Sequence, residues 1–283
     1  MLVIGKNGFL AQALIEDLQK MGRDFACTTR AHHAEKNGIF QLDLGNKDQV
    51  PAEIIRRYPD IVMLAAESSP DVCSNHYDLA YRVNVKGTAE FIERCLALGS
   101  RVLFFSSDTV YGDTGNQCVD EKSHISPFGP YAEMKAELES LFTTESLFKT
   151  ARMSYVISRG DKYTSYLQSC LDDSLEVDVY DPLIRSPIWI NDVLRFIHSI
   201  FEHWEISEKV NLCGPDDLGR LQILTAFSRA QGIQLPYNVT EPGKEFYEAR
   251  PRSIQMRSRF LDNILGRPAC SIEEAYKQEF GRS

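Results

Sequence analysis

The sequence predicts an α/β fold, a doubly wound parallel sheet with a smaller C-terminal lobe, and three observations carry that expectation. Short apolar runs alternate with segments of helical periodicity through about the first 160 residues. Val102–Ser106 is a nearly continuous β-forming run, as expected of a strand covered on both faces. A glycine-bearing turn, Gly5-Lys6-Asn7-Gly8, lies directly between the first apolar run and the first helical pattern.

Taken in order, Leu2–Ile4 reads as the first strand, and the helix after Gly8 sets Leu10, Leu14 and Leu18 on one stripe. Phe25–Thr29 and Ile61–Ala66 read as the second and third strands. A helix over Tyr81–Leu98 presents Val85, Ala89, Ile92 and Leu96 at helical spacing, and Val102–Ser106 follows as a strand. Tyr131–Phe142 is the next helix and Ala151–Ser158 the next strand. This β–α repetition predicts right-handed crossovers over residues 1–158. Beyond residue 159 the rhythm breaks into short pieces, Val177–Tyr180, Pro187–Ile190 and Val210–Leu212. The helix Asp192–Trp204 turns Val193, Ile197, Ile200 and Phe201 inward. Residues 159–283 are therefore read as a smaller lobe, interleaved with the sheet domain through a return at about 185–204. No internal repeat or low-complexity segment is apparent.

With 283 residues, 43% hydrophobic and 25% charged, the chain suits one large soluble α/β unit. A net charge of −9 argues against nucleic acid as a partner, because binding phosphate backbones needs a basic face. Seven cysteines with no Cys-x-x-Cys pair read as scattered reduced thiols. His32 and His33 are adjacent and point apart, so no metal site is expected. No signal peptide is expected ahead of the first strand, and no apolar run approaches the ~20 residues of a membrane span. The cytoplasm is the expected compartment, and the Asn238-Val239-Thr240 sequon is read as accidental.

Gly5-x-x-Gly8-x-x-Ala11 joins a strand to a helix. There the first glycine permits the tight turn, the second lets a pyrophosphate approach the backbone, and a small third residue allows close helix–strand packing. Gly5, Asn7 and Gly8 with the amides of Phe9 and Leu10 are thus expected to cradle a dinucleotide. The second strand ends in Thr28-Thr29-Arg30, with no acidic residue to hold a ribose diol. Arg30 suits a 2′-phosphate, so NADP is expected over NAD. Asp43 and Leu44 are placed beside the adenine.

Tyr131 and Lys135 are four residues apart, one helical turn, and Ser106-Ser107 closes the apolar run 24 positions before Tyr131. A phenol titrates near 10 in water and exchanges protons poorly at neutrality. A lysine one turn away, with a cofactor's positive ring, is expected to lower that value. Ser107 at the strand end is then placed to hold a substrate oxygen while Tyr131 protonates it.

These residues carry a resemblance. Gly5–Ala11, Asp43-Leu44, Ala65-Ala66, Asn84-Val-x-Gly87-Thr88, Ser106-Ser107-Asp108-x-Val110-Tyr111-Gly112 and Tyr131–Lys135 resemble the extended short-chain dehydrogenase/reductase family over roughly 160 residues. Arg185-Ser-Pro-Ile188-x-x-x-Asp192-Val193, Asn211-Leu-x-Gly214 and Arg250-Pro251 resemble its sugar-nucleotide branch, and most of all the dTDP-4-dehydrorhamnose reductase group. The resemblance implies a Rossmann-type fold and a Ser107, Tyr131, Lys135 triad next to Asp108. It also implies cofactor contacts at Ala65 and Ala66, and Asn84 bracing the lysine through water, unless Asn84 is a structural residue bonding the helix backbone. Ala11 departs from the family's usual glycine, and Arg152-Met-Ser154-Tyr155 matches its substrate motif only approximately.

The reaction implied is reduction of a keto-sugar nucleotide, with hydride from NADPH to the keto carbon and a proton from Tyr131 to the oxygen. Lys135 would steer the tyrosine and bind the nicotinamide ribose. Thr109 follows Asp108 where dehydratases of the family carry the glutamate of an Asp-Glu pair, which argues against elimination. An NAD-dependent epimerase and a cofactor-binding regulatory subunit stay open as alternatives. Arg250, Arg252, Arg257 and Arg259 crowd ten positions without an acid, and Arg250 and Arg252 are the expected diphosphate partners; a solvated basic loop is the other reading. The partner expected is a nucleotide sugar, with no nucleic acid and no membrane. The sequence does not fix an oligomeric state, although helices placed like Tyr81–Leu98 and Tyr131–Phe142 often build homodimer bundles in that family.

Overall fold

The computed structural model describes residues 1–31, 38–46, 50–65, 67–248 and 250–281; His32, His33 and Ala66 lie outside these described residues. The chain opens with β1 (Leu2–Ile4), α1 (Phe9–Lys20), β2 (Ala26–Thr29), β3 (Ile39–Gln41), α2 (Ala52–Arg57) and β4 (Asp60–Met63). Then come α3 (Pro70–Asn75), α4 (Tyr77–Tyr81), a π-helical turn (Arg82–Gly87), α5 (Thr88–Ala97) and β5 (Arg101–Ser107). A 3-10 turn (Asp108–Tyr111) leads to β6 (Cys118–Val119), α6 (Pro130–Leu141), β7 (Phe148–Met153), β8 (Val156–Ile157) and α7 (Lys162–Asp172). Next are β9 (Val177–Tyr180), β10 (Ile188–Trp189), α8 (Ile190–Ile200), β11 (Lys209–Leu212) and α9 (Arg220–Gln231). The chain closes with β12 (Tyr237–Thr240), α10 (Lys244–Tyr247), β13 (Gln255–Met256), α11 (Leu261–Leu265) and α12 (Ile272–Phe280).

Seven strands form one sheet in the order β11-β7-β5-β4-β1-β2-β3, and every pairing in it is parallel. Both faces are covered, which is why β1 needs no polar alternation. Val3 packs in one core with Leu10, Leu14 and Leu18 of α1 and Val193, Ile197 and Ile200 of α8. Leu2 and Ile4 pack in the other with Ile92 and Cys95 of α5 and Leu138 of α6. The remaining strands make two-residue to four-residue parallel pairs, β10 on β8, β12 on β9 and β13 on β6, so the smaller lobe is held by helices and loops more than by a sheet. No helix among the described residues is long and apolar enough to cross a membrane.

Several elements differ from the sequence reading. The expected strand Ala151–Ser158 is two strands: β7 starts at Phe148 and ends at Met153, and Ser154 turns its hydroxyl onto Asp108 as the chain leaves the sheet for β8. The expected helix Tyr81–Leu98 is interrupted by the π-turn. Asp192 lies inside α8, which begins at Ile190 and ends at Ile200; its carboxylate accepts from the Arg267 guanidinium and from the Cys270 amide. β3 went unread because Ile39-Phe40-Gln41 is too short to show a period. The sheet gains its last strand from β11, whose residues pair with Thr150–Met153 of β7.

Candidate active site

The strand order reverses between β4 and β1, and in open α/β sheets that point leaves a crevice beyond the carboxyl ends of the strands. Two adjoining grooves lie there. A groove of about 280 Å³ is lined by the 5–8 turn, Thr28–Arg30, Leu42–Asn46, Leu64 and Ala65. A second, of about 800 Å³, is lined by Ser106–Asp108, Tyr131, Ser154, Tyr155 and residues of the smaller lobe. Glu67 lines the first and its neighbour Ser68 the second, so the loop after β4 divides them.

The first groove is shaped by backbone. Gly5 has φ +94°, and a Cβ there would lie 2.9 Å from Ala65, so only glycine fits this turn. The Gly5 amide donates to the Thr28 hydroxyl (3.1 Å) and the Lys6 amide to the Thr28 carbonyl (2.8 Å), which locks the turn onto β2. Gly8 caps α1 without a side-chain bond, and the first-turn amides of Phe9 and Leu10 are the ones that an α-helix leaves unpaired. Asn7 donates to the Thr29 hydroxyl (3.3 Å). Arg30 is exposed at the mouth of the groove. Asp43 and Leu44 line the wall, with the Asp43 carboxylate accepting from the Gly45 amide (2.9 Å) and the Asn46 side chain (2.7 Å). The groove thus offers a turn without side chains, a helix N-terminus and a cation at its rim. These features fit the phosphates of a dinucleotide.

Tyr131 lines the second groove, and Lys135 stands one turn further along α6, opposite the end of β5. The Lys135 ammonium is buried, donates to the Phe105 carbonyl (2.8 Å), and lies 4.5 Å from the Phe104 ring centre and 5.8 Å from that of Tyr131. Burial pulls it down to about 8. The expected tuning of Tyr131 is not what this geometry produces: burial, then the neighbouring Cys73 and Asp108, push its phenol above the ordinary value. Lys135 itself lines neither groove and lies behind Tyr131.

Ser107 accepts hydrogen bonds from the Thr109 amide (3.2 Å) and hydroxyl (2.9 Å) and donates to Asp108 (3.2 Å). The other Asp108 oxygen accepts from Ser154 (3.1 Å) and lies 3.7 Å from the Arg185 guanidinium. Burial raises the Asp108 carboxyl even so, with Arg185 and the two serines opposing it. Asn84, in the π-turn, accepts from the Glu67 amide (2.8 Å) and donates to its carbonyl (2.9 Å). It thereby pins the loop between the grooves, bonding loop backbone where the structural reading had helix backbone.

The four clustered arginines do not converge. Arg252 pairs with Glu241 (2.9 Å), Arg257 with Asp217 (2.7 Å) and Arg259 with Asp120 (3.0 Å), and none of the three lines the cleft. Arg250 does line it, but its guanidinium is engaged with Asp71 at 2.6 Å. Arg152 is buried in an ion pair with Glu139 (2.6 Å) and donates to Tyr111 (2.9 Å), a fixture of the fold and not of the cleft. The sequence reading held Tyr155 only within an approximate substrate motif and missed Tyr163 and Arg220, which join it through tertiary contact; the local signal is the Asp161 cap that starts α7.

Residues 1–233 match the model of a family described as the RmlD substrate binding domain. The chain belongs to this family. Its fold and motif order accordingly place it in the extended short-chain dehydrogenase/reductase group. It is similar to a protein of Mycobacterium tuberculosis (strain CDC 1551 / Oshkosh) named dTDP-4-dehydrorhamnose reductase, 26% identical over 202 residues, 68% of this chain and 62% of that protein. The chain therefore spans less than two thirds of that relative's length. It is also similar to methionine adenosyltransferase 2 subunit beta of Bos taurus, 26% identical over 147 residues, 52% of this chain and 43% of that one. Among solved structures, dTDP-4-dehydrorhamnose reductase of Bacillus anthracis in complex with NADP superposes with a TM-score of 0.81 at 18% identity, covering 99% of this chain and 96% of the other. UDP-glucose-4-epimerase of Stenotrophomonas maltophila with bound NAD gives a TM-score of 0.81 at 16% identity, with 99% and 96% covered. At such identities the structural likeness is one of fold.

Proposed function

We propose that the chain is an NADPH-dependent reductase of a keto-sugar nucleotide. The observation that carries the proposal is Tyr131, which lines the second groove one helical turn from Lys135 and beside a groove suited to a dinucleotide. A reduction needs a proton donor at the start, and a phenol whose ordinary value of about 10 is raised further by burial is one.

A reduced nicotinamide bound beside this cleft would supply the hydride. Gly5, Asn7 and Gly8, with the amides of Phe9 and Leu10, would hold the cofactor's phosphates, and Ala65 would close the groove floor. Arg30, at a strand end that has no acid, would pair with a 2′-phosphate; this favours NADP, while the carboxylate of Asp43 stays within its own turn and Leu44 lies along the wall. Tyr131 would then release its proton to the keto oxygen, and the buried Lys135 ammonium would steady the phenolate left behind. Ser107 would direct the oxygen while Asp108, bonded to it, fixes the serine's orientation. Six aromatic residues line the second groove, Tyr131, Tyr155, Tyr163, Tyr166, Tyr180 and Phe246, which suits the base and sugar faces of a nucleotide sugar.

The NAD-bound epimerase of the same fold keeps a second reading in play, an NAD-dependent sugar-nucleotide epimerase. The test is NADPH oxidation against a panel of keto-sugar nucleotides, with the cofactor that accompanies the purified protein identified by mass. Stoichiometric NADPH consumption is the expected result. Tightly held NAD with epimerised product and no net consumption would replace the reductase with the epimerase. Cofactor binding with no turnover would leave a regulatory subunit.

A further inference from the structure

Two serines close β5, and their hydroxyls differ in what they hold. A hydroxyl has one proton to donate and two lone pairs with which to accept. Ser107 uses all three: it donates to Asp108 (3.2 Å) and accepts from the Thr109 amide (3.2 Å) and the Thr109 hydroxyl (2.9 Å). It can donate to a substrate oxygen only by releasing Asp108. Ser106 lines the same groove, is 4% exposed, and its hydroxyl is buried with no hydrogen-bond partner among the described residues. Buried polar groups are almost always paired, and an unpaired one costs stability. The strand sets the direction of this hydroxyl. Side chains alternate along β5, so Val102 and Phe104 pack in the core that holds Leu138 of α6, while Leu103 and Phe105 pack in the opposite one. Ser106 stands two positions beyond Phe104 and continues the α6 face. The Lys135 ammonium lies over the Phe104 ring on that same face, at 4.5 Å, and Tyr131 lines the groove one turn away on α6. Ser100 and Ser228 also carry buried hydroxyls without partners among the described residues, but they line neither groove.

We infer that Ser106 is a further catalytic residue of the reduction, whose hydroxyl donates to the keto oxygen beside Tyr131. The inference rests on the reading of the chain as a reductase. As the keto carbon accepts a hydride from the reduced nicotinamide, the carbonyl π pair moves onto the oxygen, which takes the Tyr131 proton; Ser106 keeps its own. Charge gathers on that oxygen as the hydride arrives, so a donor fixed beside it contributes more in the transition state than in the ground state. Ser106 can supply this bond without breaking any other, and in forming it the hydroxyl gains the partner that the fold does not provide. Ser107, bonded to Asp108 and Thr109, then orients the oxygen from the neighbouring position.

The test compares wild type, Ser106→Ala, Ser106→Thr and Ser228→Ala in NADPH oxidation, with the keto-sugar nucleotide that the wild type reduces best from a panel, and in thermal unfolding. Ser106→Ala is expected to lower kcat by about 10- to 100-fold with KM nearly unchanged, as loss of a bond to a developing charge does. Its Tm is expected to stay at or above that of wild type, because the hydroxyl removed has no partner in the fold. Ser106→Thr keeps a hydroxyl and restores the rate, and Ser228→Ala turns over as wild type does. A wild-type kcat in Ser106→Ala, or an equal loss in Ser106→Ala and Ser106→Thr, overturns the role of Ser106 and leaves the reductase standing. A Ser106→Ala protein that melts below wild type, or does not fold, shows a hydroxyl that the fold already uses and overturns that role as well. Wild type that oxidises no NADPH with any member of the panel refutes the reductase, and this role of Ser106 with it.

Discussion

Lys135 shows how much burial decides at the level of single residues. Its ammonium contacts a carbonyl and two ring faces, and desolvation outweighs the help of Glu139, so it titrates at about 8 against an ordinary 10.5. The sign follows directly: the charge is present below about 8 and is lost as pH rises through that value, which removes the cation beside Tyr131. Reductive turnover is expected to fall along that limb while Tyr131 itself stays protonated. Lysine-specific ¹³Cε NMR measures this without substrate. Two midpoints near 8 are expected, from Lys135 and Lys149, and Lys149→Gln leaves the one that belongs to Lys135. An ordinary midpoint near 10.5 in the Lys149→Gln protein contradicts the account. The spacing of Tyr131 and Lys135 was legible in the sequence, because a helix imposes it. The direction of the Tyr131 shift was not, since it depends on Cys73 and Asp108, which arrive from other elements.

Among the elements, the π-turn Arg82–Gly87 links the two grooves. It carries Asn84, which ties down the loop after β4, and Gly87, where a Cβ would meet the Leu44 carbonyl at 1.7 Å. Extra residues in a turn of this kind often mark functional sites. Gly87→Ala is therefore expected to push the turn away from the Leu42–Asn46 wall, at a cost of about 1–3 kcal/mol in stability. NADP affinity should weaken by about tenfold. Thermal unfolding and cofactor titration of the same variant check both, and a variant as stable as wild type with unchanged affinity refutes this packing. The sequence showed Asn84-Val-x-Gly87-Thr88 as a motif but read a straight helix, because apolar positions recur at nearly the same spacing on either side of the bulge. Val102–Ser106 and Leu2–Ile4, by contrast, were legible as strands, since burial on both faces leaves runs that no other element resembles.

For the whole molecule, and although β3 and the edge strand β11 could not be assigned to it, the doubly wound parallel sheet could be read from about the first 160 residues. The smaller lobe could not. Its strands are as short as two residues, and the groups that line its side of the cleft stand far apart in sequence: Tyr155, Tyr163, Arg185 and Arg220. The arginines Arg250 to Arg259, which the sequence offers as a phosphate site or as a solvated basic loop, each hold a separate carboxylate, and Arg250 alone of them lines the cleft. The central claim is that Tyr131 gives the proton in a reduction. Single-turnover hydride transfer from NADPH to the keto-sugar nucleotide that the wild type reduces best, compared with Tyr131→Phe, tests it most directly. The account predicts a fall of about 10²–10⁴-fold in rate with NADPH affinity unchanged; hydride transfer at the wild-type rate in Tyr131→Phe would contradict it.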